Sequence, residues 1–159
     1  MADKASSSLS ASILLDEIKA SMSGSQIYEP VDTNDKWVFA EVQVTGSASN
    51  TDLLDTNDSY LGSSSQVSTA DKFRWLCIKN IATDETSGIG FVLDAGNATY
   101  DAGDLMVVGP GEMVIIKAPN CTVADLHART CVLDANLIPT SQGTSTGRAH
   151  VAAILDDVA

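Results

Sequence analysis

Leu9, Ile13, Leu14, Ile18 and Met22 recur at spacings of four and five, placing one apolar stripe on the segment after a serine-rich start. This spacing predicts a helix of about 13 residues, with Ser8 as its N-cap and Gly24 just past its end. A helix that short is marginal alone in water, so the stripe must pack on its own domain or on a neighbouring subunit. Residues 1–8 are polar and are expected to behave as an arm.

From about residue 27 the period changes to two. Over residues 36–45, Val38, Ala40, Val42 and Val44 share one face, and Trp37 and Phe39 take the other. Residues 46–71 follow as a long polar stretch rich in Ser, Thr, Asn and Asp, which reads as either a surface feature or a partly disordered insert. Strand patterns then return over 73–81, 89–93, 105–108 and 113–117. Further strands are expected at 122–126, 128–133 and 149–155. In the first of these, alternation puts Phe73, Trp75 and Cys77 on one face and Arg74, Leu76 and Ile78 on the other. Gly109-Pro110-Gly111-Glu112 has proline second and glycine third, the type II turn pattern. Glycines 88 and 90 are explained by turn geometry at the entry to a strand. Short strands separated by turns predict a mainly β chain. The expected architecture is an antiparallel β-sandwich or jelly-roll-like barrel (27–159) preceded by an N-terminal arm and helix (1–26). No βαβ alternation supports a nucleotide-binding sheet.

Composition narrows the function. The 159 residues hold 9 Lys+Arg against 21 Asp+Glu, a formal charge of −12, which opposes binding to nucleic acid or anionic lipid by charge. Aromatics are 5% of the chain, so a base-stacking surface is not expected either. No signal-peptide pattern and no run of apolar residues long enough to span a membrane occurs, which predicts a cytosolic origin. Cys77, Cys121 and Cys131 fit no zinc spacing and are expected to be reduced, buried small hydrophobes.

Candidate chemistry is sparse. His127 and His150 sit in no metal-ligand spacing, and no cupin-like histidine set exists. No serine lies in a nucleophile elbow, and a Cys77/His127 pair is the one nucleophile–base combination to consider. Asp52, Asp55, Asn57 and Asp58 are dense, but lack the central glycine and terminal glutamate of a helix-loop-helix calcium site. Asp94, Asp101 and Asp104 flank a second loop and read as solvated turn residues. The expectation is no enzyme, no cofactor and no metal.

Residues 73–120 contain Ile78-Lys79-Asn80, a polar loop, an apolar strand, a second loop, then Gly109-Pro110-Gly111-Glu112 and a strand ending Ala118-Pro119-Asn120. This order, with residues 123–128 after it, resembles the small β-rich virion proteins of tailed bacteriophages, particularly capsid decoration (cement) proteins. Independently of the family, Asn80 is suited to side-chain bonds to backbone at a strand end, and the turn fixes hairpin register. The resemblance implies a virion protein on the capsid exterior, assembled in the host cytoplasm. Its partners would be the major capsid protein and its own copies as a homotrimer, with no nucleic acid and no membrane. Leu9, Ile13, Leu14, Ile18 and Met22 would then be the capsid- or subunit-gripping residues. The competing expectation is a tail or fibre domain that binds carbohydrate through Trp37, Tyr60 or Trp75. Trp37 and Trp75 are expected instead to pack in the core, which opposes it.

Overall fold

A computed structural model describes residues 5–14, 19–29, 35–46, 51–54, 67–84, 86–93, 105–117 and 121–156, without the side chains of 11–14 and 19–21. The chain divides into two compact units, Met1–Thr33 and Asn34–Ala159.

The first unit corrects the expectation of a helix. Strand β1 (Ala5–Leu14) and strand β2 (Lys19–Tyr28) form an antiparallel ribbon, with Leu9 opposite Gly24, Ala11 opposite Met22 and Ile13 opposite Ala20. The physical reason lies in the serines. Ser6, Ser8, Ser10 and Ser12 alternate along β1, and Ser21, Ser23 and Ser25 along β2. Serine is a poor helix-interior residue because its hydroxyl competes for backbone groups, and strict alternation is a strand pattern. The register places both serine rows on one set of positions and Leu9, Ile13 and Met22 on the other.

The second unit is antiparallel throughout. Its strands are β3 (Lys36–Val44), β4 (Thr51–Asp52), β5 (Lys72–Asn80), β6 (Ser87–Val92), β7 (Met106–Val108), β8 (Met113–Lys117), β9 (His127–Leu133), β10 (Pro139–Gln142) and β11 (Gly147–Asp156). One sheet has the order β3-β11-β5-β8. The other has the order β10-β9-β6-β7, with β4 also pairing β9. Burial alternates along β3 and β11, as a sheet with one covered face requires. Val38 and Val44 of β3, Leu76 and Ile78 of β5 and Val151 and Leu155 of β11 meet Ile89, Phe91, Val108 and Ala128 of the other sheet in one buried cluster. The unit is therefore a β-sandwich, and its inner faces form the core.

Three local features shape it. A β-bulge at Arg74 lets Ile154 pair with Trp75 while Leu155 pairs with Phe73. The bulge shifts the phase of β5. Phe73 joins Leu76 and Ile78 on the buried face, instead of sharing a face with Trp75 and Cys77 as simple alternation predicts. The Gly109-Pro110-Gly111-Glu112 turn is closed by the Glu112 N–H on the Gly109 carbonyl at 3.0 Å, with Gly111 at φ 73°. That is the glycine-requiring third position of the expected type II turn. Glu112 also accepts the Gly109 N–H at 2.8 Å. Residues 122–126 hold a short 3-10 turn, Val123–Asp125, and not a strand. The Asp125 carboxylate accepts both the Thr122 N–H (2.9 Å) and hydroxyl (2.7 Å), which curls the backbone locally.

Glycines 88 and 90 lie within β6 itself. A Cβ at Gly88 would sit 2.7 Å from Cys131 Sγ, and one at Gly90 would sit 2.8 Å from Leu105. Close approach of neighbouring side chains, not turn geometry, requires them.

Candidate interaction surface

The outward positions of the β3-β11-β5-β8 sheet line up across all four strands. One row reads Trp37, Ile154, Trp75, Lys117. The next reads Phe39, Ala152, Cys77, Ile115, and a third reads Glu41, His150, Lys79, Met113. Such a face is normally polar in a sandwich with one solvated side. Here two of its three rows are mostly apolar. Phe39 is 56% exposed and Met113 51%, while Trp37, Trp75, Cys77 and Ile115 are half-buried. Ile154 is 1% exposed yet stands outside the main core cluster, because its register position lies between the two tryptophans. The Trp75 indole N–H is closed off from solvent and has no acceptor among the described residues.

Charge on this face runs against the rest of the chain. Arg74, Lys79, Lys117 and Arg148 gather on it, four of the chain's 9 Lys+Arg, and among the described residues Glu41 and Asp156 are the acids that share it. Arg148 donates to Glu41 at 2.9 Å, Arg74 pairs with Asp156, and the Phe39 and His150 rings lie 5.6 Å apart. These pairs are at least partly exposed, so they tie down side chains more than they stabilise the fold.

A second apolar feature is the turn between β9 and β10. Leu137 is 48% exposed and Ile138 56%. Asp134 holds the turn rigid: its Oδ1 accepts the N–H groups of Asn136 (2.8 Å) and Ile138 (2.9 Å). Leu137 sits at φ 61°, the left-handed region that leucine avoids. Thr86, Pro110, Leu133, Asp134 and Leu137 border a cleft of about 500 Å³ beside it.

The residues expected from the sequence to grip a partner are distributed as follows. Leu9 and Met22 lie on the ribbon and are exposed at 51% and 64%. Ile13 and Leu14 are in β1, and Ile18 lies outside the described residues. Trp37 and Trp75 are on the outer sheet face and not in the core, and Tyr60 lies outside the described residues. The signal for this face was present in the sequence as the Trp37/Phe39 side of β3. The β5 bulge hid its continuation.

Nucleophile chemistry finds little support in the arrangement. Cys77 is on one sheet and His127 on the other. Burial pushes all three thiols up; at Cys121, burial and then the Asp125 charge bring the value to about 12. His127 Nδ1 lies 2.8 Å from Asp52 Oδ1. The other acidic-loop residues, Asp55, Asn57, Asp58, Asp94, Asp101 and Asp104, lie outside the described residues. Among the described residues no group of three His, Cys, Asp or Glu side chains is placed to hold a metal. A cleft of about 520 Å³ opens where β5 ends and β6 and β11 begin. Its charged lining is Asp84 and Arg148. Hydrogen bonds from the Ser87 and Thr86 hydroxyls and the Thr86 N–H hold the Asp84 carboxyl below its usual range, so it is already occupied within its own loop.

No protein-family model matches the chain, and no curated protein matches it. Among solved structures, it is similar to the Tobacco streak virus coat protein dimer solved at 2.4 Å. The TM-score is 0.47 at 11% identity, over 82% of this chain and 90% of that one. No helix among the described residues is long and apolar enough to cross a membrane.

Proposed function

We propose that this chain is a non-enzymatic structural protein of a virion, specifically a head decoration protein that binds the outside of a tailed-phage capsid as a homotrimer. The observation that carries the reading is the strand order. Leaving aside the short extra strand β10, the eight strands of the sandwich number one to eight in chain order. One sheet then reads 1-8-3-6 and the other 2-7-4-5. That interleaving is a double-sheet jelly roll, an architecture used by viral capsid domains, lectins and cupins. Fold alone does not select among these, so the choice rests on the surface. The Ile78-Lys79-Asn80 and Gly109-Pro110-Gly111-Glu112 phrases favour the phage proteins that the chain resembles. A charge of −12 suits a solvent-facing shell component rather than a DNA-facing one. The serine-faced ribbon, which a two-stranded hairpin alone cannot stabilise in water, is the natural element to grip the shell.

The test is immunogold labelling of particles from cells that carry the gene, using antibody against the purified chain. Label around the head exterior supports the proposal; particles without label overturn it. The half-exposed Trp37 and Trp75 favour one second reading, a carbohydrate-binding tail or fibre domain. Label confined to tails would select it.

A further inference from the structure

We propose that copies of this chain associate head to tail, the β9–β10 turn of one copy seating on the outer aromatic face of the β3-β11-β5-β8 sheet of the next. The inference deepens the self-association within the proposed function and rests on that part of it alone.

Two exposed apolar features among the described residues of the sandwich unit complement each other. The face offers Phe39, Met113 and the flanks of two tryptophans, with Lys79 and Lys117 on it beside the Arg74–Asp156 and Arg148–Glu41 pairs. The turn offers Leu137 and Ile138 beside Asp134. Face against face would set like charges together; turn against face sets an acidic, aliphatic projection on a basic, aromatic floor. The turn is preorganised by the two Asp134 bonds, so docking orders little that is not already ordered. An exposed leucine held at φ 61° is strain without a folding benefit, and such strain is found where a side chain is aimed at a partner. A contact between two different patches closes into a ring when the rotation permits, and a three-copy ring is the simplest result compatible with a three-fold site.

The experiment is light scattering on a sizing column with the full chain and three variants. Phe39→Asp and Ile138→Asp each place a charge at a position more than half exposed, while Thr144→Asp alters an exposed loop as a control. The wild type and the control are expected at three chain masses, and each of the two interface variants at one. Mixing Phe39→Asp with Ile138→Asp restores one intact turn and one intact face, so a two-chain mass is expected. A wild type of one chain mass, either interface variant keeping the wild-type mass, or a mixture that stays at one chain mass overturns the inference. If the variants do not fold, a wild type of one chain mass still overturns the inference. Both tryptophans of the chain lie on this face, so dilution through dissociation must red-shift the emission; a mass change with unchanged emission overturns the inference. Loss of head binding by Phe39→Asp at unchanged mass would assign the face to the shell protein and also overturn it. Head labelling tests the virion role separately, so the two failures are distinguishable.

Discussion

Asn80 and Val108 lie in different sheets, and the Asn80 Nδ2 donates to the Val108 carbonyl at 3.1 Å. The same amide donates to the Ser87 carbonyl at 2.9 Å, and its Oδ1 accepts the Ala82 N–H at 2.9 Å. Its backbone is used as well: the carbonyl accepts from Gly111 (3.1 Å) and the N–H donates to Glu112 (3.0 Å). One fully buried side chain thus fixes the end of β5, the start of β6 and the end of β7, with the turn into β8 held by its backbone. Asn80→Ala would strand the buried Val108 carbonyl, the partly buried Ser87 carbonyl and the Ala82 N–H. The expected cost is about 3 kcal/mol, read as a lower urea midpoint at unchanged slope. Asn80→Asp should be at least as costly, because a buried carboxylate would face two carbonyl oxygens. A midpoint within error of the wild type for either variant would refute this role.

Lys36 and Asp71 form a buried ion pair at 2.8 Å that ties the start of β3 to the segment entering β5. Burial by itself would raise the Asp71 carboxyl, but Lys36 and the Ser68 N–H and hydroxyl outweigh it and hold the carboxyl below its usual 3.8. Lys36→Met leaves that carboxylate without its cation and should cost about 3–5 kcal/mol. The pH dependence has a definite sign. With a folded value below the unfolded one, the Asp71 contribution is complete above the unfolded value and is lost as pH falls through the folded one. The stability gap between wild type and Asp71→Asn should therefore be widest at neutral pH and narrow at pH below about 4. Urea titrations at both pH values check it; a gap independent of pH would contradict the pairing.

The sandwich was legible wherever one face is buried and uninterrupted. Val38, Val42 and Val44 alternate cleanly, and the Pro110-Gly111 turn announces the link between β7 and β8. Three places were not legible, each for a different reason. Near the N-terminus, the spacing of Leu9, Ile13, Leu14, Ile18 and Met22 matches a helical stripe by coincidence, and the serine alternation along β1 and β2 that decides the matter is a weaker signal than apolar spacing. At Arg74 a single bulged residue inverts the side that the rest of β5 presents, and nothing local in the sequence marks it. The outer aromatic face depends on β3 and β5 flanking β11, a pairing between segments far apart in the chain that hydrophobic pattern alone does not specify. The apolar side of Trp37 and Phe39 was visible; that it faces outward was not.

The thiols should be slow to react. Burial raises Cys77, Cys121 and Cys131 alike, and Cys121 stands at about 12, so at neutral pH the reactive thiolate is scarce at every one. In native protein, labelling at Cys121 and Cys131 by an alkylating reagent should proceed only as fast as the fold opens. All three cysteines should label at once in denaturant. Mass spectrometry of timed samples distinguishes the two regimes. Rapid native labelling of Cys121 would show that its surroundings open far more readily than a core position should.

Leu137 offers a test in which stability and association move in opposite directions. Its left-handed backbone costs an L-residue with a branched apolar side chain about 1–2 kcal/mol, whereas asparagine tolerates the same conformation. The turn does not depend on the leucine side chain, since its bonds come from the Leu137 N–H to the Asp134 carbonyl (3.0 Å) and from the Asp134 carboxylate. Leu137→Asn should therefore raise the stability of the isolated chain by about 1 kcal/mol, measured by urea unfolding at concentrations too low for association. It should at the same time weaken self-association, because the apolar projection is gone. A gain in stability with unchanged association would place the leucine outside the interface. A loss of stability would mean that its side chain supports the sandwich locally and that the left-handed backbone is not the dominant cost.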